Sequence, residues 1–511
     1  MILASSDIQD KVETLVKLAE DLGQFVQKSI QDGASLDQTE RGSFQRLLIL
    51  GCATINMFLE GQGTGDLGES IQTAEGKTLY RSDTVLPRPL RTIFGEHLFY
   101  TFQYTAGDKR PIELRPIDAR INLPEGKNSY LLQEFSQLFC VDKAFGVGAE
   151  HFARVFHQKV SVDVLESINR TMGKQAEEFL DQLPKPPALE EGEFLVLTAD
   201  GKGVPLVKED AQQIPVFEEK ERPGNRRMAT LGCIYSVDPW VRTAEEIVAA
   251  LFRKDSDHLE RARPKPVGKH YRAYFTQEGL EGEAVIPSAY GTCSWLTEEL
   301  QKRWQPGQAV VRIMDGQLSL WEASNTCLDD FRRKLTEENQ SYLLVEVLDI
   351  IHVSGYLWRA GKVLESHQEH QEAFVESRLL RILRGEVVGV VMGIRRMATQ
   401  KGLRGKSLKE IRTVCNYLEK NAERMRYDEY LRLGYPIASG VIEGACRHII
   451  KDRMERGGMR WRLAGAQAML NVRCVSASCE WDNFGIWRQA KEAQRVHPNR
   501  ELVENYQGFK A

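Results

Sequence analysis

Paired cysteines are missing from this 511-residue sequence. It holds nine cysteines, an odd number, and no two of them form a CxxC pair. A zinc ribbon would need CxxC pairs and a disulfide framework usually has an even number of cysteines, so we expect reduced thiols and no structural zinc. The N-terminus lacks the basic and apolar regions of a signal peptide. The longest apolar stretch that we identify, around Val387–Ile394, is far shorter than the roughly 20 residues that span a bilayer. These absences predict a soluble, cytoplasmic protein without a membrane partner.

An excess of charge of one sign is also missing. The sequence has 68 Lys+Arg against 72 Asp+Glu, a net charge of −4, whereas nucleic-acid-binding proteins usually carry a basic excess. Residues 1–70 hold eleven acids and five bases, which leaves a net charge of +2 for the rest of the chain. In that remainder the bases cluster at 253–272, 395–412 and 444–462. The small overall charge therefore hides basic segments that could bind a polyanion.

The spacing of apolar residues predicts four regions. An N-terminal helical region covers 1–85, and a β-ribbon with a helix-turn-helix covers 86–183. An α/β domain with a mixed sheet follows over 188–490, and a tail covers 491–511. The second helix of the helix-turn-helix would present Asn169, Arg170 and Lys174 outward, although an ordinary helical hairpin explains this segment as well.

The α/β domain is predicted to contain five strands, at about 192–200, 227–238, 269–275, 309–315 and 342–351. Helices are expected near 244–252, 295–304 and 328–340. A largely helical segment over 356–432 separates the fifth strand from a helix that we expect to run from Ser439 to about Arg456.

Three carboxylates stand at positions that suit a metal site. Asp200 and Asp315 are each expected at the end of a strand and are each followed by glycine, and Glu443 lies in the first turns of the late helix. Glycines at 440 and 444 would allow a backbone to approach it closely. Hard oxygen donors suit Mg²⁺, and two such ions can promote phosphoryl transfer. A single Asp-Gly is more often a turn, so the trio depends on its placement in the fold.

The helix that carries Glu443 is strongly basic. Residues 444–462 hold six Lys/Arg against two acids. Arg447 and Lys451 would share the Glu443 face at i+4 and i+8, and a basic stripe beside them is formed by Arg453, Arg456 and Arg460. This pattern predicts a surface that draws a nucleic acid to the metal, while a solvated helix with a Glu443–Arg447 pair is the plain alternative.

Asp349 and His352 follow the fifth strand and compete with Asp315 for a role at the site. Asp349 could replace Asp315 as second ligand, and His352 could contact a phosphate or only cap a helix. His367 and His370 have no third ligand nearby, so zinc is not expected there.

Several blocks of the sequence together resemble the ISKra-type insertion-sequence transposases, a bacterial and archaeal DDE family. The clearest blocks are TADGKGVP (198–205), RIMDGQLSLW (312–321), LDIIHVSGYLW (348–358) and YPIASGVIEGACRHIIKDRMERGGMRW (435–461), and the last is the most specific. RTIFGEHL (91–98) and IDARINLPEG (117–126) are weaker N-terminal matches, so the resemblance extends from about residue 70 to about residue 490.

This resemblance implies a ribonuclease-H-like catalytic core with a helical insertion. It implies a nuclease and strand transferase that cuts and joins double-stranded DNA at terminal inverted repeats and at a target, with two Mg²⁺ ions or Mn²⁺ in their place. Asp200, Asp315 and Glu443 then match the three ligands, and Asp315 is preferred over Asp349 because it ends the fourth strand. A homo-oligomer on DNA, associated with the nucleoid, is implied as well.

The sequence departs from the family before the helix-turn-helix. Similar transposases often carry a cysteine-rich zinc ribbon there, but residues 99–114 contain no cysteine. Two other functions stay open: a non-catalytic DNA-binding descendant, and a ribonuclease-H-like nuclease that cuts without joining.

Overall fold

The computed structural model describes residues 5–214, 224–254, 262–277, 285–338 and 340–508. The chain forms two compact units. The first unit contains Met1–Asn169 and Asp482–Ala511, and the second contains Arg170–Trp481. The predicted helical region, the tail and the ribbon region as far as Asn169 thus share one unit, while residues 170–183 of the ribbon region belong to the other. The division falls between Asn169 and Arg170, inside a helix that continues without a break from 162 to 181, and not at the Pro-rich stretch 184–187.

The strands in the described residues are, in chain order, β1 (Ser70–Gln72), β2 (Thr78–Arg81), β3 (Leu86–Thr92), β4 (Gly95–Thr101), β5 (Tyr104–Thr105), β6 (Ile112–Leu114), β7 (Phe194–Pro205), β8 (Arg226–Val237), β9 (Val267–Phe275), β10 (Ala309–Met314) and β11 (Leu344–Leu348).

The α-helices are, in chain order, α1 (Ser5–Gln31), α2 (Leu36–Glu60), α3 (Pro116–Arg120), α4 (Tyr130–Val141), α5 (Phe145–Phe156), α6 (Val162–Asp181), α7 (Lys208–Gln213), α8 (Ala244–Leu251), α9 (Ser288–Arg303), α10 (Leu318–Glu337), α11 (Ile350–Leu364), α12 (Gln368–Leu383), α13 (Val387–Gln400), α14 (Gly405–Lys420), α15 (Tyr427–Leu433), α16 (Gly440–Ala445), α17 (Asp452–Met454), α18 (Leu463–Ala477) and α19 (Trp481–Val496). A π-helical segment covers Cys446–Lys451, and 3-10 turns cover Ala422–Arg424, Arg456–Gly458 and Arg500–Val503.

The first unit begins with a hairpin of two long helices. Ser35 caps α2, since its hydroxyl accepts the Gln38 N–H while the Gln38 side chain accepts the Ser35 N–H. The helices run antiparallel, because Lys11 pairs with Glu60 at 2.8 Å and Arg46 pairs with Asp21 at 2.9 Å.

Among the described residues, α2 is long and apolar enough to cross a membrane by length and composition. Its uncharged run 47–59, which includes Thr54 and Asn56, is longer than the stretch around Val387–Ile394, so the expectation based on that stretch overlooked α2. The core helices of soluble proteins pass the same test, although only 6% of this stretch of α2 is buried.

Small sheets and helices complete the first unit. β3 and β4 form the predicted antiparallel ribbon, with Leu86 opposite Thr101 and Thr92 opposite Gly95. The strands β1, β2, β5 and β6 form a second antiparallel sheet. A buried ion pair between Arg88 and Asp118, at 2.8 Å, supports the ribbon because the same arginine also donates to the Pro124 carbonyl.

The two helices predicted over 145–183 are present as α5 and α6. The sequence reading missed α4, which lies before them and packs against both: its Phe139 contacts the Phe152 ring, and its Gln137 donates to the Leu165 carbonyl at 3.0 Å. The helix-turn-helix is therefore part of a three-helix arrangement.

The second unit is built on a five-stranded mixed sheet, and all five predicted strands are confirmed. Its order is β11-β10-β7-β8-β9. The pairs β7–β8 and β8–β9 are antiparallel, while β10 runs parallel to both β7 and β11. All six residues of β10 are buried, in keeping with the mostly apolar sequence of a strand inside a parallel pair, and they include one charged residue, Arg312.

Helices cover the sheet and its edge. Gly232 in β8 leaves room for Thr292 and Leu296 of α9. On the β9 edge, the Gln467 side chain of α18 accepts the Phe275 N–H and donates to the Ala273 carbonyl. The helix therefore satisfies backbone groups that an exposed edge would leave unpaired.

The helix expected near 244–252 is present as α8, between β8 and β9. The helices predicted as an insertion over 356–432 are α11 to α15, and α11 begins earlier than predicted, at Ile350. The late helix lies close to its predicted bounds of Ser439 and Arg456. It covers residues 440–454 without a gap, as α16, the π-helical segment and α17, and the 3-10 turn follows it.

Candidate active site

Three aspartates lie side by side at one end of the parallel strands. In the sheet register, Ala199 of β7 is opposite Met314 of β10, and Met314 is opposite Leu348 of β11. The next residue on each strand is an aspartate: Asp200, Asp315 and Asp349. Because equivalent positions on neighbouring parallel strands point to the same face, the fold brings these three carboxylates together.

The sequence predicted that Asp200 would be the last residue of its strand, and this prediction was wrong. β7 continues to Pro205 and pairs with β8 along its whole length. Its described pairing with β10, however, stops at Ala199. The carboxylate therefore lies where the sheet opens between β7 and β10.

Asp349 is fully buried and its carboxylate is already saturated. Oδ1 accepts the N–H groups of Ile351 and Ser439 at 3.1 and 3.0 Å. Oδ2 accepts the Ser439 hydroxyl at 2.8 Å and lies 2.8 Å from His352 Nδ1. Asp349 thus caps α11 and ties it to the segment before α16. These contacts are typical of a carboxylate that stabilises the fold.

Asp315 has fewer partners. Its Oδ1 accepts the Gln317 N–H at 3.0 Å, and its backbone carbonyl accepts the Trp321 indole N–H at 2.6 Å. The Tyr417 ring lies against Gly316, where a Cβ would collide with it, and Tyr417 stacks on Tyr356 with ring centroids 3.6 Å apart. These contacts fix the backbone of Asp315 but leave most of its carboxylate free to accept another partner.

Asp200 is paired with a lysine that the sequence reading did not single out. Lys202 Nζ lies 3.1 Å from Asp200 Oδ2. Burial alone would lower the pKa of Lys202, but the charge of Asp200 and their hydrogen bond raise it overall. Lys202 could have been found from the sequence, since residues two apart on a strand share a face.

Glu443 lies on α16 and faces the same group of charges. His352 Nδ1 is 3.6 Å from its Oε1. Of the described residues, Asp349, His352 and Glu443 offer ligand atoms that all lie within 4.8 Å of one another. A Cβ at Gly440 or Gly444 would have nothing within 4 Å, so these glycines border open space instead of a packed backbone.

The charges at the site repel one another. Burial raises the pKa of Asp315, and the nearby charges of Asp200 and Asp349 raise it further, although His352 acts in the opposite sense. Burial likewise raises the pKa of Glu443, and Asp349 and Asp200 add to the effect. The hydrogen bond to Asp349 is the main reason that the pKa of His352 is raised. An excess of negative charge is therefore held at this edge of the sheet.

The structure changes the predicted basic stripe. Arg447 is exposed and lies 3.9 Å from Asp452, not beside Glu443. Lys451, Arg456 and Arg460 are also exposed. The π-helical segment has a wider turn than an α-helix, so the i+4 and i+8 spacing from Glu443 no longer describes one face.

Arg453 is completely buried, so its predicted contact with DNA is wrong. Its guanidinium lies 4.8 Å from the centre of the Trp461 ring, and Nη1 lies 3.6 Å from the Met459 sulfur. The π-helical segment explains the error, because it rotates the residues that follow it relative to an unbroken α-helix.

Asn169 is buried as well and does not point outward as predicted. Its Nδ2 donates to the Gln137 side chain of α4 at 3.0 Å. It shares the packed face of α6 with Leu165 and Met172, whereas Arg170 and Lys174 are exposed as predicted.

The other two basic clusters are less uniform than their composition suggests. In 395–412, Arg395 is paired with Glu419 at 2.6 Å and is thereby partly neutralised. In 253–272, residues 255–261 lie outside the described residues, and Arg272 is buried against Asp181 at 3.1 Å.

No protein-family model and no curated protein sequence matches this chain. Among solved structures, the chain is similar to the Drosophila P element transposase strand transfer complex, at 9% sequence identity and a TM-score of 0.23. The matched region covers 73% of this chain and 84% of that one. A similarity at this level identifies neither a family nor a function, so the functional argument depends on the site itself.

Proposed function

We propose that this protein is a DNA transposase that cuts and joins DNA at the terminal inverted repeats of an insertion sequence by metal-dependent phosphoryl transfer. The observation that carries the proposal is the gathering of Asp200, Asp315 and Glu443, from two strands and a later helix, at one edge of a mixed sheet. Carboxylates held this close repel one another, and either protonation or a bound cation relieves that repulsion.

The sheet topology supports the ribonuclease-H-like core in this proposal. Numbered along the second unit, the strands lie in the order 3-2-1-4-5, with the second antiparallel to the first and the fourth and fifth parallel to it. Asp200 belongs to the first strand and Asp315 directly follows the fourth, which is the arrangement that the ISKra-type resemblance implies.

The donor set suits Mg²⁺ or Mn²⁺ better than zinc. Asp200, Asp315 and Glu443 supply carboxylate oxygens, and Asp315 and Glu443 have raised pKa values that a divalent cation would relieve. We assign these three residues as the ligands of two ions. When bound, such ions supply charge stabilisation to the attacking and leaving oxygens of phosphoryl transfer.

The residues around the carboxylates have separate tasks in this proposal. Asp349 holds α11 and the segment before α16 in place, so it positions His352 and Glu443. Lys202 carries a positive charge close to the carboxylates, and His352 adds one when it is protonated, so both can contact the scissile phosphate. The open space beside Gly440 and Gly444 gives a DNA backbone access to Glu443.

Double-stranded DNA is the proposed partner, and the exposed bases carry its binding. Arg447, Lys451, Arg456 and Arg460 would contact phosphates near the site, and Arg170 and Lys174 would contribute to end binding. Transposition also implies a homo-oligomer that bridges two element ends in the bacterial or archaeal cytoplasm.

The central experiment tests Asp200→Ala on a labelled duplex that contains the DNA flanking this reading frame. Cleavage with Mg²⁺ or Mn²⁺ should fall at least roughly 1,000-fold, which is about 4 kcal/mol of transition-state stabilisation. Binding of the duplex should change little. Asp329→Ala, which removes an exposed carboxylate of α10, is the matched control. Unchanged cleavage by Asp200→Ala would contradict the assignment.

The second ligand is tested by comparing Asp315→Ala with Asp349→Ala. Asp315→Ala should lose cleavage while the thermal stability is kept, because its carboxylate supports little of the fold. Asp349→Ala should lower the stability first, since it leaves buried donors of Ser439 and Ile351 unpaired. The reverse pattern would make Asp349 the ligand.

A strand-transfer assay separates the proposed transposase from its two rivals. A pre-cut element end should be joined to a target plasmid. Cutting without joining would indicate a nuclease, and end binding without any cutting would indicate a DNA-binding descendant.

A further inference from the structure

Helix α14 of the insertion carries four bases on one exposed face. They are Lys406, Lys409, Arg412 and Lys420. With about 3.6 residues per turn, these positions fall within about a third of the helix circumference. Among the described residues, none of the four side chains takes part in an ion pair. The exposed face of α14 is therefore strongly positive.

The acids of α14 do not balance this charge. Glu410 pairs with Arg359 of α11 at 2.6 Å, and Glu419 pairs with Arg395 of α13 at 2.6 Å. These two residues are the only acids in the helix. Because each of them is already paired with an arginine of a neighbouring helix, the four exposed bases keep their charge.

The C-terminal part of α14 contacts the candidate active site. Tyr417 stacks on Tyr356 of α11, with ring centroids 3.6 Å apart, and its ring lies where a Cβ of Gly316 would be. Gly316 directly follows Asp315 in the chain. Since α14 packs against the segment that carries a proposed metal ligand, its bases are held at a fixed position relative to that ligand.

The row of bases leads away from the site. Lys420 lies about one turn after Tyr417, and Lys406 lies about three turns before it. From Lys420 to Lys406 the helix rises about 20 Å, a length that about six base pairs of B-DNA cover. Gly355 of α11, about one turn after His352, borders open space, since a Cβ there would have no neighbour within 4 Å. The row can therefore follow a DNA strand for about half a helical turn, starting beside the site.

We propose that this basic row, formed by Lys406, Lys409, Arg412 and Lys420, binds the phosphate backbone of double-stranded DNA on one side of the phosphodiester that the site cleaves. The inference rests on the proposed function and adds to it the path of the bound duplex. Contacts to phosphates fix the position and orientation of a duplex without reading its bases. The insertion thus has a task, which is to hold DNA in register with Asp315.

Polarity favours DNA over a lipid surface as the partner. The other residues in this face of α14 are Thr413 and Asn416, and both are exposed. Helices that bind membranes insert large apolar side chains beside their bases, and the exposed face of α14, which the structure describes in full, has none. An acidic protein would also be attracted, but DNA in addition supplies the phosphodiester on which a two-metal site acts.

The test measures binding of the full-length protein to the labelled flanking duplex without metal. The triple substitution Lys406→Gln, Lys409→Gln and Arg412→Gln should weaken binding roughly 100-fold at about 0.1 M salt. The slope of log K against log salt concentration should become shallower by about 0.9 for each phosphate contact that is lost. A variant that keeps the charge, with Lys406→Arg, Lys409→Arg and Arg412→Lys, should bind as the native protein does.

The matched control removes three exposed bases from another helix of the same unit. The substitutions Arg332→Gln, Arg333→Gln and Lys334→Gln in α10 change the net charge by the same amount. This control should keep the native affinity and salt dependence. An equal loss of affinity in the control would overturn the proposal, because net charge alone would then explain the result.

Hydroxyl-radical footprinting locates the contact. At a protein concentration that saturates the duplex, the Gln variant of α14 should lose protection over one continuous stretch, within about six base pairs of the cleaved position and on one side of it. Loss of protection elsewhere, or native affinity of the Gln variant, would overturn the proposal. Native DNA affinity together with lost flotation on phosphatidylglycerol vesicles would overturn it in favour of a lipid surface.

The affinity and its salt dependence require neither metal nor cleavage. Native affinity of the Gln variant would therefore overturn the DNA path and leave the carboxylate site untouched. Unchanged cleavage by Asp200→Ala would contradict the proposed catalytic site, and the binding measurements on α14 would keep their meaning.

Discussion

Two groups of buried charge lie on the same strands of the second unit and are built in opposite ways. In the neutralised cluster, Arg312 of β10 is completely buried, and its guanidinium donates to Glu346, Ser324 and Asn325. Arg424 also pairs with Glu346, at 2.9 Å. Asp315 and Asp349 lie three residues after Arg312 and Glu346, respectively. Together with Asp200 and Glu443 they form the carboxylate edge, where there are too few cations to balance the negative charges.

The pKa values record this difference. Burial alone would raise the pKa of Glu346, but the charge of Arg312 and the hydrogen bond from Arg424 hold it below its ordinary value. At the carboxylate edge, burial and neighbouring carboxylates raise the pKa values of Asp315 and Glu443. The neutralised cluster stabilises the fold, whereas the carboxylate edge keeps a charge imbalance that a cation can use.

The largest expected effect comes from breaking the neutralised cluster. Arg312→Met should destabilise the second unit by about 3 kcal/mol, because Glu346 keeps only Arg424 and the buried partners of the guanidinium lose their donor. Urea denaturation followed by circular dichroism measures this change. Arg424→Met, at a more exposed position, should cost clearly less, and equal unfolding midpoints for Arg312→Met and the native protein would contradict the comparison.

The next effect is the stabilisation of the carboxylate edge by Mg²⁺, which should depend on pH. Raised pKa values mean that the folded state favours protonated Asp315 and Glu443, so this part of the stability is present at low pH and is lost as the pH rises through those values. The raised pKa of His352 acts in the same direction. Mg²⁺ must displace these protons, so its stabilising effect grows with pH.

At a concentration about 100-fold above its Kd, Mg²⁺ should stabilise the folded state by about 2.7 kcal/mol at pH 8, and by less at pH 6. Thermal melts with and without MgCl₂ at the two pH values measure the difference. Glu443→Gln should abolish it. A Mg²⁺ effect that is larger at pH 6 than at pH 8 would show that these carboxylates do not bind the ion.

A smaller effect is expected from Asp315→Asn in the metal-free protein. Removal of one negative charge relieves repulsion, while the amide oxygen can still accept the Gln317 N–H. The melting temperature should rise by about 2–4 °C, which corresponds to about 1 kcal/mol, and cleavage should be lost. Asp349→Asn is the comparison. The Asp349 carboxylate accepts all four of its hydrogen bonds, and the NH₂ group of an asparagine cannot accept, so this substitution should lower the melting temperature.

The smallest effect is expected at Lys202. Its ammonium group pairs with Asp200 and competes with a cation, so Lys202→Met should tighten Mg²⁺ binding about two- to fivefold, the size of a partly exposed ion pair. Isothermal titration calorimetry without DNA measures the affinity. Lys202→Arg keeps the charge and should bind Mg²⁺ as the native protein does, while weaker binding by Lys202→Met would contradict the competition.

Much of the second unit could be predicted from its sequence, because short, mostly apolar segments such as 194–199 are typical of a buried strand. The proximity of Asp200, Asp315 and Glu443 was also foreseen, from strand positions and a resemblance. The saturation of Asp349 was not, since it depends on Ser439, which lies 90 residues away in the chain. The burial of Arg453 was missed because helical periodicity gives no sign of a π-helical segment.

The sequence by itself determined where the strands, helices and charged side chains occur, since apolar periodicity and chain polarity are local properties. Only the tertiary structure decided what each charge does. Arg312 and Asp315 are three residues apart on one chain, yet Arg312 is paired with Glu346, which also pairs with Arg424, while Asp315 meets further carboxylates. The strand register and the packing of the α11–α15 insertion determine these partners. The balance between desolvation and opposite charge then makes the Arg312 cluster structural and leaves the carboxylate edge available for a cation.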